Sequence, residues 1–179
     1  MDCNPELIAA AQNNTDKLGF SDRFALHTGE LADTRFLENL RMEASPVQLV
    51  MANLPWRLVG SGRLPATEAR QKALFGDKGT FPLFASAASS LLEEDGRFAC
   101  IISPDRLQDM LAALDGAGLT PYLLQYIHKQ KTSPATFVLI EARKGAHAKP
   151  SVAEPIALYG PERFFHTGIT GFLPFFALV

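Results

Sequence analysis

Cysteine is scarce in this chain. The two it has, Cys3 and Cys100, stand far apart with no metal-like spacing, which excludes a disulfide framework and fits small apolar packers in a reducing compartment. Neither sign of charge is in excess: 17 basic against 19 acidic residues give a net charge of −2, so attraction to a polyanion has to come from a local patch. No apolar run approaches the roughly 20 residues of a membrane helix. The opening MDCNPELIAAAQ lacks a basic stretch followed by an apolar one, and a cytoplasmic protein is expected. His27, His128, His147 and His166 have no ligand spacing and read as structural or surface residues, so no metal is expected. No Ser/His/Asp pattern, internal repeat or low-complexity tract occurs. What remains is 179 residues at 47% hydrophobic content, enough for one domain, 1–179, with a real core.

Punctuation divides that domain into strands and helices. Asn4-Pro5 reads as an N-cap and first-turn proline opening a helix to about Lys17, with Gly19 beyond its end. A short strand is expected at Phe24 to His27, a helix at Leu31 to Arg41 and a buried strand at Val47 to Ala52. The Gly-, Arg- and Lys-rich stretch from Arg57 to Gly79 reads as a loop with a helical turn around 66–74. A helix at Phe81 to Glu93, a strand at Phe98 to Ile102 and a helix at Asp105 to Asp115 follow. Two β-rich runs, Thr120 to His128 and Thr136 to Ala142, are joined by a link short enough for an antiparallel hairpin. Lys144 to Glu154 reads as a polar connector, with a last strand at Ile156 to Tyr159. The alternation predicts an α/β fold: a mostly parallel sheet with helices on both faces and a terminal antiparallel hairpin.

In such a sheet, ligands bind beyond the C-terminal ends of the strands. Three polar positions fall there: Asp2, Glu30 after the Phe24–His27 run, and Asn53, which opens Asn53-Leu54-Pro55-Trp56. A carboxylate at a strand end accepts two hydrogen bonds from the vicinal diol of a ribose, and a second one strand over accepts from an adenine amino group. A polar amide, a proline and the only tryptophan after a buried strand read either as a turn or as a clamp for a flat, nitrogen-bearing substrate.

The order of these motifs resembles the class I S-adenosylmethionine-dependent methyltransferases. MDCNPELIAAAQNN is similar to their acidic strand end and following helix, HTGEL to the next acidic strand end, and NLPW to their Asn/Asp-Pro-Pro-Tyr signature. Downstream, ATEARQKALF, EEDGRFACIISPDRL, FVLIEARKGAHAKP and IALYGPERFFHTG resemble, in order, segments of the tRNA (valine) adenine-N6 methyltransferases. The resemblance covers nearly the whole chain. It implies a Rossmann-like sheet, S-adenosylmethionine as cofactor and RNA, a tRNA, as partner and substrate. It places Asp2, Cys3, Glu30, Leu31 and Asn53 at the cofactor, and Asn53, Leu54, Pro55 and Trp56 at the catalytic clamp. Leu54 stands where the family usually has proline; the position acts through its carbonyl, so Leu54→Pro is expected to be nearly neutral. The family's first strand and glycine-rich loop have no counterpart here, which implies an N-terminally truncated member that binds the cofactor poorly.

For the substrate, Arg57, Arg63, Arg70 and Lys72 flank the signature, while Lys129, Lys131, Arg143, Lys144 and Lys149 gather near the hairpin. Either set is a candidate for phosphate contacts. Competing readings are methylation of a protein glutamine amide, which uses a similar signature, and a noncatalytic remnant.

Overall fold

The computed structural model describes residues 1–44, 46–55, 57, 58, 71, 75–145 and 149–159, with only the backbone at 57 and 58. Helix α1 (Pro5–Leu18) has the expected ends. Asn4 accepts from the Glu6 amide, Pro5 holds the first turn, and Gly19 takes the left-handed conformation at φ 70° while its N–H donates to the carbonyls of Asp16 and Thr15. These local signals carry the helix, since α1 has no buried residue. Helix α2 spans Thr34–Ala44, three residues later at each end than expected, with Asp33 accepting from the Arg35 and Phe36 amides at its entry.

The main sheet contains β1 (Val47–Asn53), β4 (Leu92–Ile102), β5 (Leu119–His128), β6 (Ala135–Lys144), β7 (Ser151–Val152) and β8 (Ile156–Ala157). Its order is β1-β4-β6-β5-β7, with β8 also on β5. β1/β4, β5/β7 and β5/β8 pair in parallel, while β4/β6 and β6/β5 are antiparallel. The expected hairpin is β5–β6, with β6 inserted between β5 and β4. His128 Nδ1 lies 2.6 Å from the Ser133 carbonyl and helps to close its turn. Two more short strands, β2 (Arg57–Leu58) and β3 (Phe75–Gly76), pair in parallel just beyond the signature.

Two expectations are corrected. Phe24 to His27 is not a strand: the extended contact there is a single parallel bridge, Asp2 to Thr28. The Asp2 N–H donates to the His27 carbonyl at 3.1 Å and the Gly29 N–H to the Asp2 carbonyl at 3.1 Å. A run becomes a strand only where a partner extends alongside it, and Asp2 offers one residue's length. The connector 144–154 in turn contains β7.

The described core lies against one face of the sheet. Helix α3 (Thr80–Leu91) brings Phe81, Ala85 and Ala88 to the sheet at helical spacing, and α4 (Leu107–Gly116) brings Met110, Ala113 and Leu114. They bury one sheet face: Phe98, Cys100 and Ile102 on β4, and Val138, Ile140 and Ala142 on β6. On the opposite face the register lines up Met51, Ala99 and Glu141, then Asn53, Ile101 and Leu139, all at least partly exposed. Leu49 and Met51 are 41% and 53% exposed. Among the described residues no helix packs these two into the core, and β1 has no strand on the edge away from β4. The apolar run that suggests a fully buried strand is therefore half-buried and, among the described residues, lies at the sheet's edge.

Candidate functional site

β1 ends at Asn53, level with Ile101 on β4. The backbone alternation that sends Met51 and Asn53 to the open face sends Leu54 the other way, where it is 1% exposed within the core. Asn53 itself is exposed, and no hydrogen bond engages its side chain among the described residues. A core anchor thus adjoins an exposed amide that no described residue engages. This corrects the expectation for Leu54→Pro, because Leu54 also fills the core and its replacement removes a buried side chain as well as preserving a carbonyl.

Pro55 turns the chain toward β2 and β3. Gly76 of β3 packs so closely there that an added Cβ would stand 2.8 Å from Thr80 Oγ1 and 3.1 Å from the Pro55 carbonyl oxygen. Pro55, Phe75, Gly76, Asp77, Thr80 and Phe84 line a groove of about 640 Å³ beside the signature, with Gly79 and Leu83. Asp77 Oδ1 accepts from the Gly79 amide at 2.9 Å and from Thr80 Oγ1 at 3.0 Å, fixing the entry into α3.

The Asp2–Thr28 bridge brings Asp2 against the turn that carries Glu30 two residues on. Asp2 is half-buried, its Oδ1 accepting from the Asn4 amide at 2.8 Å, while Glu30 and Cys3 are exposed and Leu31 is half-buried. Phe36 of α2 packs over Gly29 so closely that no side chain fits there, which pins the turn carrying Glu30 to α2. A polar cofactor that needs carboxylates on two neighbouring chain segments fits this arrangement: Asp2 Oδ2 and the Glu30 carboxylate have no partner among the described residues.

The basic candidates divide. Lys129 and Lys131 are exposed at the hairpin turn. Lys144 is committed elsewhere: its Nζ donates to the carbonyls of Ser89 and Leu92 at 2.9 and 2.8 Å, closing the C-terminal end of α3. Arg143 lies over the Tyr122 ring at 3.6 Å and pairs with Glu141 at 3.4 Å. Both are corrections to the phosphate-contact expectation, since partners within the fold already hold these cations. Trp56, Arg63, Arg70, Lys72, the helical turn at 66–74, His147 and His166 lie outside the described residues, as does the side chain of Arg57.

Sequence reasoning missed Arg106. It ends a short 3₁₀ turn, Pro104–Arg106, just past β4, and is 2% exposed. Its guanidinium lies 4.2 Å from the centroid of Phe81 and its Nε donates to Asp109 at 2.7 Å, while Nη1 and Nη2 are buried without partners. Burial of Cys100 pushes its thiol up to about 12. Among the described residues no three His, Cys, Asp or Glu side chains gather as metal ligands, and no helix is long and apolar enough to cross a membrane.

No family model matches the sequence, and neither does any curated protein. Solved structures do match. A protein from Agrobacterium tumefaciens described as a predicted O-methyltransferase is similar at TM-score 0.69 and 18% identity, over 93% of this chain and 71% of that one. A protein from Clostridium thermocellum described as an rRNA methylase is similar at TM-score 0.51 and 21% identity, over 79% and 72%. An O-methyltransferase family 2 protein from Planctomyces limnophilus matches at TM-score 0.50 and 17% identity; the match covers 80% of this chain but spans only 41% of that protein. With the β1-β4-β6-β5 order and the inserted antiparallel β6, these likenesses show what the chain is architecturally: a Rossmann-like α/β fold of the methyltransferase type.

Proposed function

We propose that this protein is an S-adenosylmethionine-dependent methyltransferase acting on the N6 amino group of adenine in RNA, with tRNA as the substrate. The observation that carries the reading is the end of β1: an exposed Asn53 amide beside a Leu54 whose side chain is locked in the core. Burying the Leu54 side chain anchors its backbone carbonyl, and the exposed Asn53 side chain supplies a second acceptor beside it. They would take both hydrogens of an exocyclic amino group and hold its lone pair along one line of approach. Pro55 stiffens the turn behind them, and Trp56 would supply a stacking plate, worth about 1–3 kcal/mol per base. Positioning and exclusion of water do most of this work, and no general base is needed for the step.

S-Adenosylmethionine, when bound, would supply the methyl group. Asp2 and Glu30 would hold its ribose and adenine, with Cys3, Leu31 and Asn53 alongside. Lys129 and Lys131 at the hairpin turn, with Arg57, Arg63, Arg70 and Lys72 after the signature, would contact RNA phosphates.

The test is transfer of labelled methyl from S-adenosylmethionine to adenine-containing tRNA. Asn53→Ala should cut the rate about 10²-fold or more, because misplacement near 1 Å costs that much, with little change in cofactor affinity. Trp56→Ala should chiefly weaken tRNA binding. Full activity in Asn53→Ala, or transfer to a glutamine peptide with none to tRNA, overturns the reading.

A further inference from the structure

The groove beyond Pro55 is not used by the clamp, and its lining is chemically lopsided. Pro55, Leu83 and the half-buried Phe84 make its accessible wall apolar, over a buried Phe75. Among the lining residues that carry a polar side chain, Thr80 has given its hydroxyl hydrogen to Asp77 Oδ1. The Gly79 amide is spent on the same oxygen. That leaves Asp77 Oδ2, which has no partner among the described residues and belongs to an exposed side chain. The groove therefore offers an apolar surface and, among the described residues, a charged carboxylate oxygen without a partner.

Those properties select the occupant. A carboxylate repels phosphate and carboxylate groups and accepts from N–H, so the groove suits the base of a nucleotide and not its backbone. Adenine, cytosine and guanine each carry an exocyclic amino group, whereas uracil presents carbonyls there. The groove is continuous with the clamp through Pro55, but Asn53 is not part of its lining. Resting on the reading of the previous subsection, we propose that this groove is the subsite for the nucleotide next to the one methylated, that it takes an amino-bearing base lying on the apolar wall at Phe84, and that Asp77 reads its amino group. Enzymes acting on extruded bases set sequence context through contacts to flanking nucleotides, and this groove would give the protein such a preference.

The probe is cytidine, which is neither the proposed target nor a part of the proposed cofactor. Amide shifts of the isotopically labelled 179-residue chain are followed as cytidine, N4,N4-dimethylcytidine and uridine are added in turn. Cytidine should move the Gly76, Gly79 and Thr80 amides, and the other two nucleosides should bind at least fivefold more weakly. Asp77→Asn keeps a capping oxygen at the entry of α3. It should weaken cytidine at least fivefold and leave N4,N4-dimethylcytidine unchanged. Phe84→Leu should weaken all three about tenfold. Equal binding of cytidine and its dimethyl form, or shifts confined to residues outside the groove, would overturn the subsite. A chain that shows the cytidine preference but transfers no methyl to tRNA would instead overturn the proposed activity. A chain that methylates tRNA indifferently to the neighbouring base, with Asp77→Asn silent, would overturn the subsite alone.

Discussion

Arg106 permits a prediction whose sign is opposite to the usual expectation for a buried charged residue. Its side chain is 2% exposed, and of its three guanidinium nitrogens only Nε has a partner. Each buried donor left unmade costs about 1–3 kcal/mol, so Nη1 and Nη2 together cost about 2–6 kcal/mol. Against this stands the stack on Phe81, worth about 2 kcal/mol when desolvated. The pair with Asp109 adds about 1 kcal/mol at most, because the Asp109 side chain is 55% exposed and its share is screened. The charged head is therefore neutral to unfavourable, and the apolar stem does the packing. Arg106→Met keeps an unbranched stem and removes the unmade donors, so it should leave stability within about 1 kcal/mol of the parent or raise it. Arg106→Ala loses the stem and should cost about 3 kcal/mol through the cavity. Asp109→Asn keeps an oxygen for Nε and loses only the screened charge, so it should cost about 1 kcal/mol at most. Urea unfolding followed by circular dichroism gives all three values, provided the m-values agree. The reasoning fails if Arg106→Met costs as much as Arg106→Ala, for then the guanidinium holds acceptors that its surroundings do not show.

Leu54→Ala should cost about 2–5 kcal/mol for a fully buried leucine, and Leu54→Pro should be comparably destabilising; thermal unfolding measures both. Lys144→Met should lose about 1–2 kcal/mol with the two carbonyl bonds at the end of α3, yet leave tRNA affinity in a filter-binding assay unchanged. Cys100 has a pH signature: between about 9 and 12 the unfolded thiol has lost its proton while the buried one keeps it, so stability falls as pH rises, by about 1.4 kcal/mol per unit. Cys100→Ala should remove that part of the slope in urea unfolding from pH 9 to 10.5. A thiol reagent at pH 8 should label Cys3 at once and Cys100 only in denaturant.

The parts of the fold legible in the sequence are those specified by near neighbours. Asn4, Pro5 and Gly19 bracket α1 because capping is a matter of three or four residues, and it holds although the helix buries none of its own. The β5–β6 hairpin was legible for the same reason, its turn being closed by His128, Gln130 and Ser133. Asn53 stood out because a polar residue after VQLVMA breaks an apolar run. What was not legible depends on partners distant in the chain. Phe24–His27 has strand-like composition and one bridge. The Lys144 ammonium finds the end of a helix more than 50 residues earlier, and an arginine after β4 is buried against Phe81, 25 residues before it. The short β2/β3 pair was invisible, since two-residue strands have no periodicity to read.

Among the described residues β1 pairs only with β4, and an edge of this kind would make the protein's behaviour depend on its concentration. VQLVMAN carries no lysine, no proline and no charge of either sign, which are the means by which soluble proteins keep sheet edges from recruiting one another. Half of its backbone donors and acceptors point away from β4 and can bond to any extended chain that arrives, while Leu49 and Met51 give that chain an apolar surface to lie on. Two molecules meeting at these edges would each satisfy what the other leaves open, and the joined pair would bury methionine and leucine that now face water. The same seven residues that end in the exposed Asn53 thus form a surface on which two copies would pair.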